Sequence, residues 1–148
     1  TRKLIPLIST AEPAKIINIG STFGSIGYPG FVVYSATKFA LRGFSEALNR
    51  ELADASIDVS YIAPRATKTS INSEIICAMN KELGVAMDDP IVVARSVIKC
   101  IEKKKSITSY LGWPEKIFVR INSLLPQLVD TSVTKQNSII RRYANLQR

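Results

Sequence analysis

Three side chains near the start of the chain have types and spacing suited to moving a proton. Ser21 is followed thirteen residues later by Tyr34, and Lys38 comes four residues after Tyr34. Hydride transfer at a carbinol carbon requires a proton to move on its oxygen, and a free phenol is too weakly acidic to be an efficient base at neutral pH. A lysine one helical turn away shares a helix face with the tyrosine, so its ammonium can favour the phenolate. A serine hydroxyl can stabilise charge on the same oxygen.

The surrounding residues predict the elements that position these side chains. Residues 15–19 form a short β-branched run that indicates a buried strand, and residues 20–30, with four glycines, indicate a loop. Apolar residues then recur every three or four positions and predict a helix over 34–53, followed by a strand over 57–63. Ser21 therefore falls just past a strand end, where open α/β sheets bind ligands.

The second half continues the alternation of strands and helices. Asp89 and Pro90 are typical of a helix start, and Val93, Val97 and Ile101 carry that helix toward a run of lysines. Residues 106–111 predict a third strand, and an apolar stripe over 113–128 predicts a helix that Pro126 kinks or ends. This order predicts an α/β fold with about three parallel strands and right-handed crossovers.

These residues resemble the short-chain dehydrogenase/reductase family. The resemblance rests on Tyr34-Ser35-Ala36-Thr37-Lys38, on the serine thirteen residues earlier, and on the segment 64–69 after the next strand. It implies a Rossmann-like, doubly wound parallel sheet and an NAD(P)-dependent oxidoreductase that interconverts an alcohol and a carbonyl. It also implies that Tyr34 is the general acid/base, that Ser21 orients the substrate and that Lys38 holds the nicotinamide ribose hydroxyls.

The resemblance also assigns cofactor contacts after the second strand. Pro64, Thr67 and Thr69 fall on the family's Pro-Gly-x-x-x-Thr segment, whose threonine and backbone amides meet the nicotinamide carboxamide. The cofactor is expected to be NAD or NADP, with a slight preference for NADP. Arg65 stands where the family has glycine, and a residue with a β-carbon restricts the backbone there. Arg65 either alters the local geometry or reaches into the site to select an anionic group.

The glycines of the first loop could be mistaken for a phosphate-binding motif. Gly20, Gly24 and Gly27 follow a strand, but they do not form GxGxxG, and no acidic residue closes a βαβ unit about 20 residues on. The loop is expected to form the substrate-side wall between Ser21 and Tyr34. The family's true cofactor loop belongs several elements upstream, and only 14 residues precede the predicted strand over 15–19. The resemblance also implies that Leu4 to Ile8 is the end of the helix before that strand. Residues 1–148 are therefore expected to be the C-terminal part of one Rossmann domain, unable alone to hold a dinucleotide tightly.

The composition of the chain excludes several classes of enzyme and binding site. The chain has 148 residues, a net charge of +8 and no histidine, which excludes Ser-His-Asp and Cys-His nucleophilic systems and HExxH zinc proteases. Cys77 and Cys100 form no metal set, and two buried free thiols in a reducing cytoplasm are expected, with no metal site. Residues 75–148 carry +6 of the charge, much of it at Lys103-Lys104-Lys105, Arg141-Arg142 and Arg148. These are expected to be solvated helix ends, not a nucleic-acid site.

The expected partners are a small-molecule substrate and further copies of the chain. The helix over 34–53 resembles the one through which family members pair into dimers and tetramers. Substrate contacts are expected from residues 70–85 and from the terminal helix, and helix 113–128 is expected to pack as core or lid, with a partner-binding or membrane-surface helix as alternatives. No signal peptide and no membrane span are expected, which predicts a cytoplasmic protein. The competing function is a non-catalytic interaction module of the same fold.

Overall fold

The computed structural model describes residues 3–8, 14–103 and 105–146. Pro13, which bounds the first predicted strand, and the basic residues Lys104 and Arg148 lie outside the described residues. Three strands form one parallel sheet in the order β1 (Ala14–Ile19), β2 (Ile57–Ala63) and β3 (Thr108–Tyr110). The predicted α/β class with a parallel sheet is confirmed.

The helices alternate with the strands along the chain. In chain order they are α1 (Ile5–Ile8), α2 (Val32–Glu51), α3 (Glu74–Glu82), α4 (Pro90–Glu102), α5 (Glu115–Leu124), α6 (Pro126–Thr134) and α7 (Asn137–Asn145), and a 3-10 turn spans Thr22–Gly24. Asp89 caps α4, since its side chain accepts from the amide of Ile91. The predicted helix end over Leu4 to Ile8 is present as α1, and α2 begins two residues before the predicted start, so Tyr34 lies in its first turn.

The sheet is covered on both faces. Ile62, Cys100 and Leu111 form a buried cluster where α4 packs on the sheet, and the neighbouring residues Val59 and Tyr61 of β2 point to the opposite face. Asn18 of β1 donates to the Ser45 hydroxyl at 2.9 Å and so ties β1 to α2. Strand β2 is buried along almost its whole length, as expected for the central strand of a parallel sheet.

The helix predicted over 113–128 is interrupted at Pro126, as expected. The first helix, α5, ends at Leu124, Leu125 leaves the helical region because the Pro126 ring disfavours that conformation, and Pro126 starts α6. Two other expectations about the second half need correction. The third strand is shorter than 106–111, since the Ser106 hydroxyl accepts from the amide of Val59 and the Ser60 hydroxyl accepts from that of Ile107, replacing ladder bonds. Cys77 is exposed, because α3 turns that side to solvent, whereas Cys100 is buried as expected.

The lysine run marks a helix end, as predicted. Lys103 is the residue after the last turn of α4, and its side chain is exposed. The Lys15 ammonium donates to the carbonyl oxygens of Cys100, at 3.0 Å, and Lys103. A cation there complements the negative end of the helix dipole. Over the described residues, none of the helices combines the length and the apolar character needed to cross a membrane.

Candidate active site

The carboxyl ends of the three strands meet at one edge of the sheet, and a cavity of about 570 Å³ opens there. Its lining residues come from two parts of the chain. We call those between residues 20 and 34 the motif wall and those between residues 64 and 136 the outer wall. Ser21 and Tyr34 lie on the motif wall, and Pro64, Thr67 and Thr69 lie on the outer wall. The cavity thus brings together all the predicted site residues except Lys38.

Ser21 caps the 3-10 turn that opens the motif wall. Its backbone is extended, and its Oγ accepts a hydrogen bond from the amide of Phe23 at 3.1 Å. Ser21 therefore shapes this turn as well as lining the cavity. Because the hydroxyl accepts this bond, its proton stays available to a further acceptor in the cavity.

The buried Tyr61 of β2 supports the motif wall from beneath. Its Oη accepts from the amide of Ser21 at 3.3 Å and donates to the carbonyl of Ser21 at 3.2 Å. A β-carbon on Gly20 would lie 2.1 Å from the Tyr61 ring, and one on Gly24 would lie 2.5 Å from its Oη. Burial raises the pKa of the Tyr61 phenol above 10.0. The loop glycines therefore admit the Tyr61 ring, and the loop lines the cavity as predicted.

Lys38 lies close to Tyr34 on α2. The Lys38 ammonium is 5.6 Å from the centroid of the Tyr34 ring and donates to the carbonyl of Ile19 at 3.3 Å. Tyr34 itself is 44% exposed, so its phenol is open to the cavity. Its ring also contacts the rings of Phe23 and Phe31, both at 6.3 Å between centroids. The arrangement can support proton exchange at an oxygen in the cavity, with a cation beside the phenol.

The segment after β2 is held by backbone pairing. The amide of Lys68 donates to the carbonyl of Asp88, and the amide of Asp88 donates to the carbonyl of Ala66, each at 2.9 Å. Thr67 Oγ1 donates to the carbonyl of Arg65 at 3.0 Å. The amide of Thr22 donates to the carbonyl of Pro64 at 3.1 Å and joins the two walls. This pairing fixes Pro64 and Thr67 at the cavity edge.

Arg65 is the centre of an ion-pair cluster in the outer wall. Its guanidinium lies 2.6 Å from Asp88 Oδ1 and 3.3 Å from Glu115 Oε2, and it also donates to the carbonyl of Trp113 at 3.0 Å. The side chain is 16% exposed, and the hydrogen bond to Asp88 raises the pKa of the guanidinium further. Within the described residues, Nε of Arg65 has no hydrogen-bond partner. We call Arg65, Asp88 and Glu115 the Arg65 clamp.

The geometry of Arg65 distinguishes the two roles predicted for it, which are to alter the local backbone or to select an anionic group. No residue other than glycine has a positive φ in the described part of the chain, so the backbone at Arg65 does not require glycine. Glycine is required instead at position 112, where φ is 91° and a β-carbon would lie 2.6 Å from Arg65 Cδ. The guanidinium is paired with the carboxylates of Asp88 and Glu115, so its positive charge is not available to an anionic ligand.

Sequence reasoning missed several residues of the site. Tyr61 read only as part of a strand, and the partners of Arg65 lie 23 and 50 residues away from it. Tyr28 was predicted only as part of the loop over 20–30, and Phe31 lay outside the predicted elements, yet Tyr28 stacks on Phe23 at 4.7 Å between centroids. The signal that could have indicated an aromatic wall is the density of aromatic residues between 23 and 34.

Comparisons with known proteins identify the family that the chain is similar to. A family model described as short chain dehydrogenase matches residues 1–79. Over 89 residues the chain is 38% identical to the uncharacterised oxidoreductase YusZ of Bacillus subtilis, covering 60% of this chain and 31% of that protein. Over 119 residues it is 33% identical to 2,3-dihydroxy-2,3-dihydro-p-cumate dehydrogenase of Pseudomonas putida, covering 80% of this chain and 45% of that protein. The chain spans less than half the length of these curated relatives.

Solved structures share the fold. A short-chain dehydrogenase from Streptomyces avermitilis superposes with a TM-score of 0.68 at 24% identity, covering 95% of this chain and 56% of that one. A short-chain dehydrogenase from Burkholderia cenocepacia in complex with NADP gives a TM-score of 0.72 at 18% identity, covering 89% and 52%. Serine dehydrogenase from Escherichia coli is 30% identical, with a TM-score of 0.59 and coverage of 75% and 45%.

Proposed function

The chain belongs to the short-chain dehydrogenase family of oxidoreductases, and we propose that it interconverts an alcohol and a carbonyl compound with NAD or NADP as the hydride carrier. The observation that carries the proposal is that Ser21 and Tyr34 line one cavity, with the Lys38 ammonium 5.6 Å from the Tyr34 ring. A proton donor, a hydrogen-bond donor and a cation are thereby grouped around a space large enough for a small substrate.

Each of these residues has a proposed role. Tyr34 gives its proton to the substrate oxygen during reduction and takes it back during oxidation. Ser21 donates a hydrogen bond to the same oxygen and stabilises the charge that develops on it. Lys38, whose charge lies beside the ring, favours the phenolate during oxidation and meets the ribose hydroxyls of the cofactor. Burial of the loop around Ser21 keeps this donor in place.

The residues at the cavity edge fit the nicotinamide end of a dinucleotide. Thr67 and Thr69 offer hydroxyls, and the ordered backbone of residues 64–69 offers amides for a carboxamide. When bound, the nicotinamide supplies or accepts the hydride. The family's solved members include complexes with NADP and with NADH, so both cofactors occur among structures of this fold. Pro64, Thr67 and Thr69 are the proposed contacts in this chain.

The test is the substitution Tyr34→Phe in the protein as the cell produces it. Turnover of a panel of carbonyl compounds, followed by the loss of reduced nicotinamide absorbance, should fall by a factor on the order of 10² to 10⁴, because the proton donor is lost. Cofactor affinity should stay nearly unchanged. Tyr143→Phe, which alters a phenol on α7 away from the cavity lining, is the matched control and should keep its turnover. If Tyr34→Phe keeps its turnover too, the acid/base role is wrong.

We also propose assembly into a homo-oligomer through α2. Val32 and Val33 are 74% and 77% exposed, and Phe39 and Phe44 are each more than 40% exposed on the same helix. Exposed apolar side chains in a continuous patch are typical of interaction surfaces. Sedimentation of the protein should show a dimer or tetramer. A cytoplasmic location stays a prediction.

A further inference from the structure

We propose that the cavity takes an uncharged, mainly apolar carbonyl compound or alcohol, and that it rejects substrates carrying a carboxylate or phosphate near the reacting carbon. This inference rests on the proposed function, since it names the substrate class of the same site. It follows from the charges, the hydrogen bonds and the side-chain types of the lining residues.

The charged groups of the lining are paired with other charged groups of the protein. Among the described lining residues, Arg65 and Glu115 are the ones with a charged side chain, and both belong to the Arg65 clamp. With Asp88 counted, the clamp holds two carboxylates and one guanidinium, so its formal charge is negative. An anionic ligand would have to displace a carboxylate that the chain itself holds at 2.6 Å. The clamp therefore disfavours anions in the cavity.

Three polar side chains of the lining are also engaged with the protein, whereas the hydroxyls of Ser21 and Tyr34 stay open to the cavity. The Asn72 amide donates to the carbonyl of Thr67 at 2.7 Å, and the Tyr28 hydroxyl donates to Gln136 Oε1 at 2.5 Å. Asn80 directs its amide nitrogen toward the sulfur of Met87, 3.8 Å away. A carboxylate deep in the cavity would need several donors, and these donors already have acceptors.

The rest of the outer wall is apolar. It presents side chains from α3 and the loops on either side of it, from α5 and from α6, namely Ile71, Ile76, Val85, Phe118, Val129 and Val133. The motif wall opposite adds the rings of Phe23, Tyr28 and Phe31. Apolar area removed from water stabilises binding of an apolar ligand, whereas an anion loses its hydration without replacement. The part of the substrate beyond its carbonyl therefore lies against hydrocarbon and aromatic faces.

A pair of matched probes tests this on the full chain. Methyl 4-acetylbenzoate and 4-acetylbenzoate share their ring and ketone and differ in one charge. Titration followed by ligand-observed NMR should give an ester dissociation constant lower than that of the acid by a factor on the order of ten or more, since burying an unpaired charge is costly. Equal or tighter binding of the acid would overturn the inference, as would tighter binding of 4-acetyl-N,N,N-trimethylanilinium than of the ester.

A charge placed on the cavity wall sharpens the test. Val133→Lys adds a cation opposite the motif wall, and Val133→Met adds similar length without charge. The lysine variant should bind 4-acetylbenzoate more tightly than the wild type, and the methionine variant should keep the preference for the ester. Circular dichroism checks that both variants fold, and the wild-type comparison decides the question if they do not. If a folded Val133→Lys leaves acid binding unchanged, the probe does not use this cavity and the inference fails.

The failure of this inference is distinguishable from the failure of the proposed function. Preference for the acid, with turnover that depends on Tyr34, would leave the dehydrogenase function intact and overturn the substrate class. Preference for the ester with no hydride transfer to either probe or to the wider panel would support the binding preference and count against the function. The binding measurement does not depend on the cofactor.

Discussion

The motif wall is fixed by close packing against the protein interior, whereas the outer wall is fixed by charged side chains that join distant segments. Beneath the motif wall, Tyr61 is 2% exposed and fits against Gly20 with no room for a β-carbon. In the outer wall, Arg65 bridges Asp88 and Glu115, which follow different elements. Close packing holds the motif wall, and ion pairs join the segments of the outer wall.

The difference matches what each wall is proposed to do. Proton transfer demands that Ser21 and Tyr34 keep their positions within a fraction of an ångström, and a packed interior that cannot yield provides that. A wall that selects the substrate tolerates other solutions, provided that its segments stay joined. Arg65, which stands where the family has glycine, is an example of such a different solution, because the ion pairs of the Arg65 clamp join its segment to the rest of the wall.

The largest effect is expected where packing is tightest. Gly20→Ala would place a methyl group 2.1 Å from the Tyr61 ring, which is 2% exposed. The free energy of unfolding should fall by about 3 kcal/mol, at the upper end of the effects of overpacking. Urea denaturation followed by circular dichroism measures it.

A glycine with open space around it serves as the control. Gly43 lies within α2, and no heavy atom lies within 4 Å of a β-carbon built there. Gly43→Ala should stabilise the chain by about 0.5 to 1 kcal/mol, because alanine favours the helix interior. A Gly20→Ala protein as stable as the wild type would show that the motif wall adapts and would break the contrast between the walls.

The second effect concerns the Arg65 clamp. Arg65→Met keeps an unbranched apolar stem but leaves the carboxylates of Asp88 and Glu115 close together without their cation. Because their side chains are 14% and 23% exposed, water compensates in part, and the loss of stability should be about 2 kcal/mol. Thermal unfolding of the two proteins at neutral pH measures it.

An exposed arginine tests whether the effect belongs to the clamp. Arg120 lies on α5 with an exposed side chain, and Arg120→Met should change the stability by less than about 0.5 kcal/mol. High salt should narrow the difference between Arg65→Met and the wild type only slightly, since the clamp is mostly shielded from solvent. Equal effects of the two substitutions would mean that the outer wall does not depend on this cluster.

The third effect returns to the motif wall. Tyr61→Phe keeps the ring but removes the hydroxyl that bonds both the amide and the carbonyl of Ser21. The expected cost is about 1 kcal/mol, the size of a typical buried hydrogen bond. Turnover should fall with little change in KM if Ser21 acts in the chemical step, and a merely structural loss would leave turnover per folded molecule unchanged.

The same substitution has a signature at alkaline pH. Burial raises the pKa of Tyr61 above 10.0 in the folded chain, so the unfolded chain releases this proton first as the pH rises. The contribution is fully present below pH 10 and is lost as the pH rises through the folded pKa. Wild-type stability should therefore decline more steeply above pH 10 than that of Tyr61→Phe. Parallel declines would contradict the burial of this phenol.

The local part of this architecture was predictable, and its long-range part was not. The strands and α2 were predicted because β-branched runs and apolar stripes are local signals, and the Ser21, Tyr34 and Lys38 spacing gave the motif wall. Tyr61 lies 40 residues from Ser21, and the clamp joins residues 23 and 50 apart. No periodicity encodes such contacts, since they depend on how the strand ends come together. The break before Pro126 was predicted, because proline is a local signal that disfavours a helical conformation in the residue before it.

The smallest effect concerns the contact that holds α3 behind the outer wall. Glu82, at the end of α3, accepts from the Tyr143 hydroxyl at 2.8 Å and from the Arg142 guanidinium, and both residues lie on α7. The two hydrogen bonds, that of Tyr143 first, lower the pKa of the Glu82 carboxyl below 4.5. A lowered pKa stabilises the fold above pH 4.5, and this contribution is lost as the pH falls through the folded pKa.

Glu82→Gln should therefore lower the melting temperature slightly at pH 7, and the difference from the wild type should shrink as the pH falls well below 4.5. Glu102→Gln, on the exposed end of α4, is the matched control and should show no such convergence. The group formed by Glu82, Arg142 and Tyr143 is exposed to solvent, so salt should weaken it more than it weakens the Arg65 clamp. If salt instead affects both clusters equally, the outer wall is held by exposed charges throughout, and burial is not what distinguishes its ion pairs.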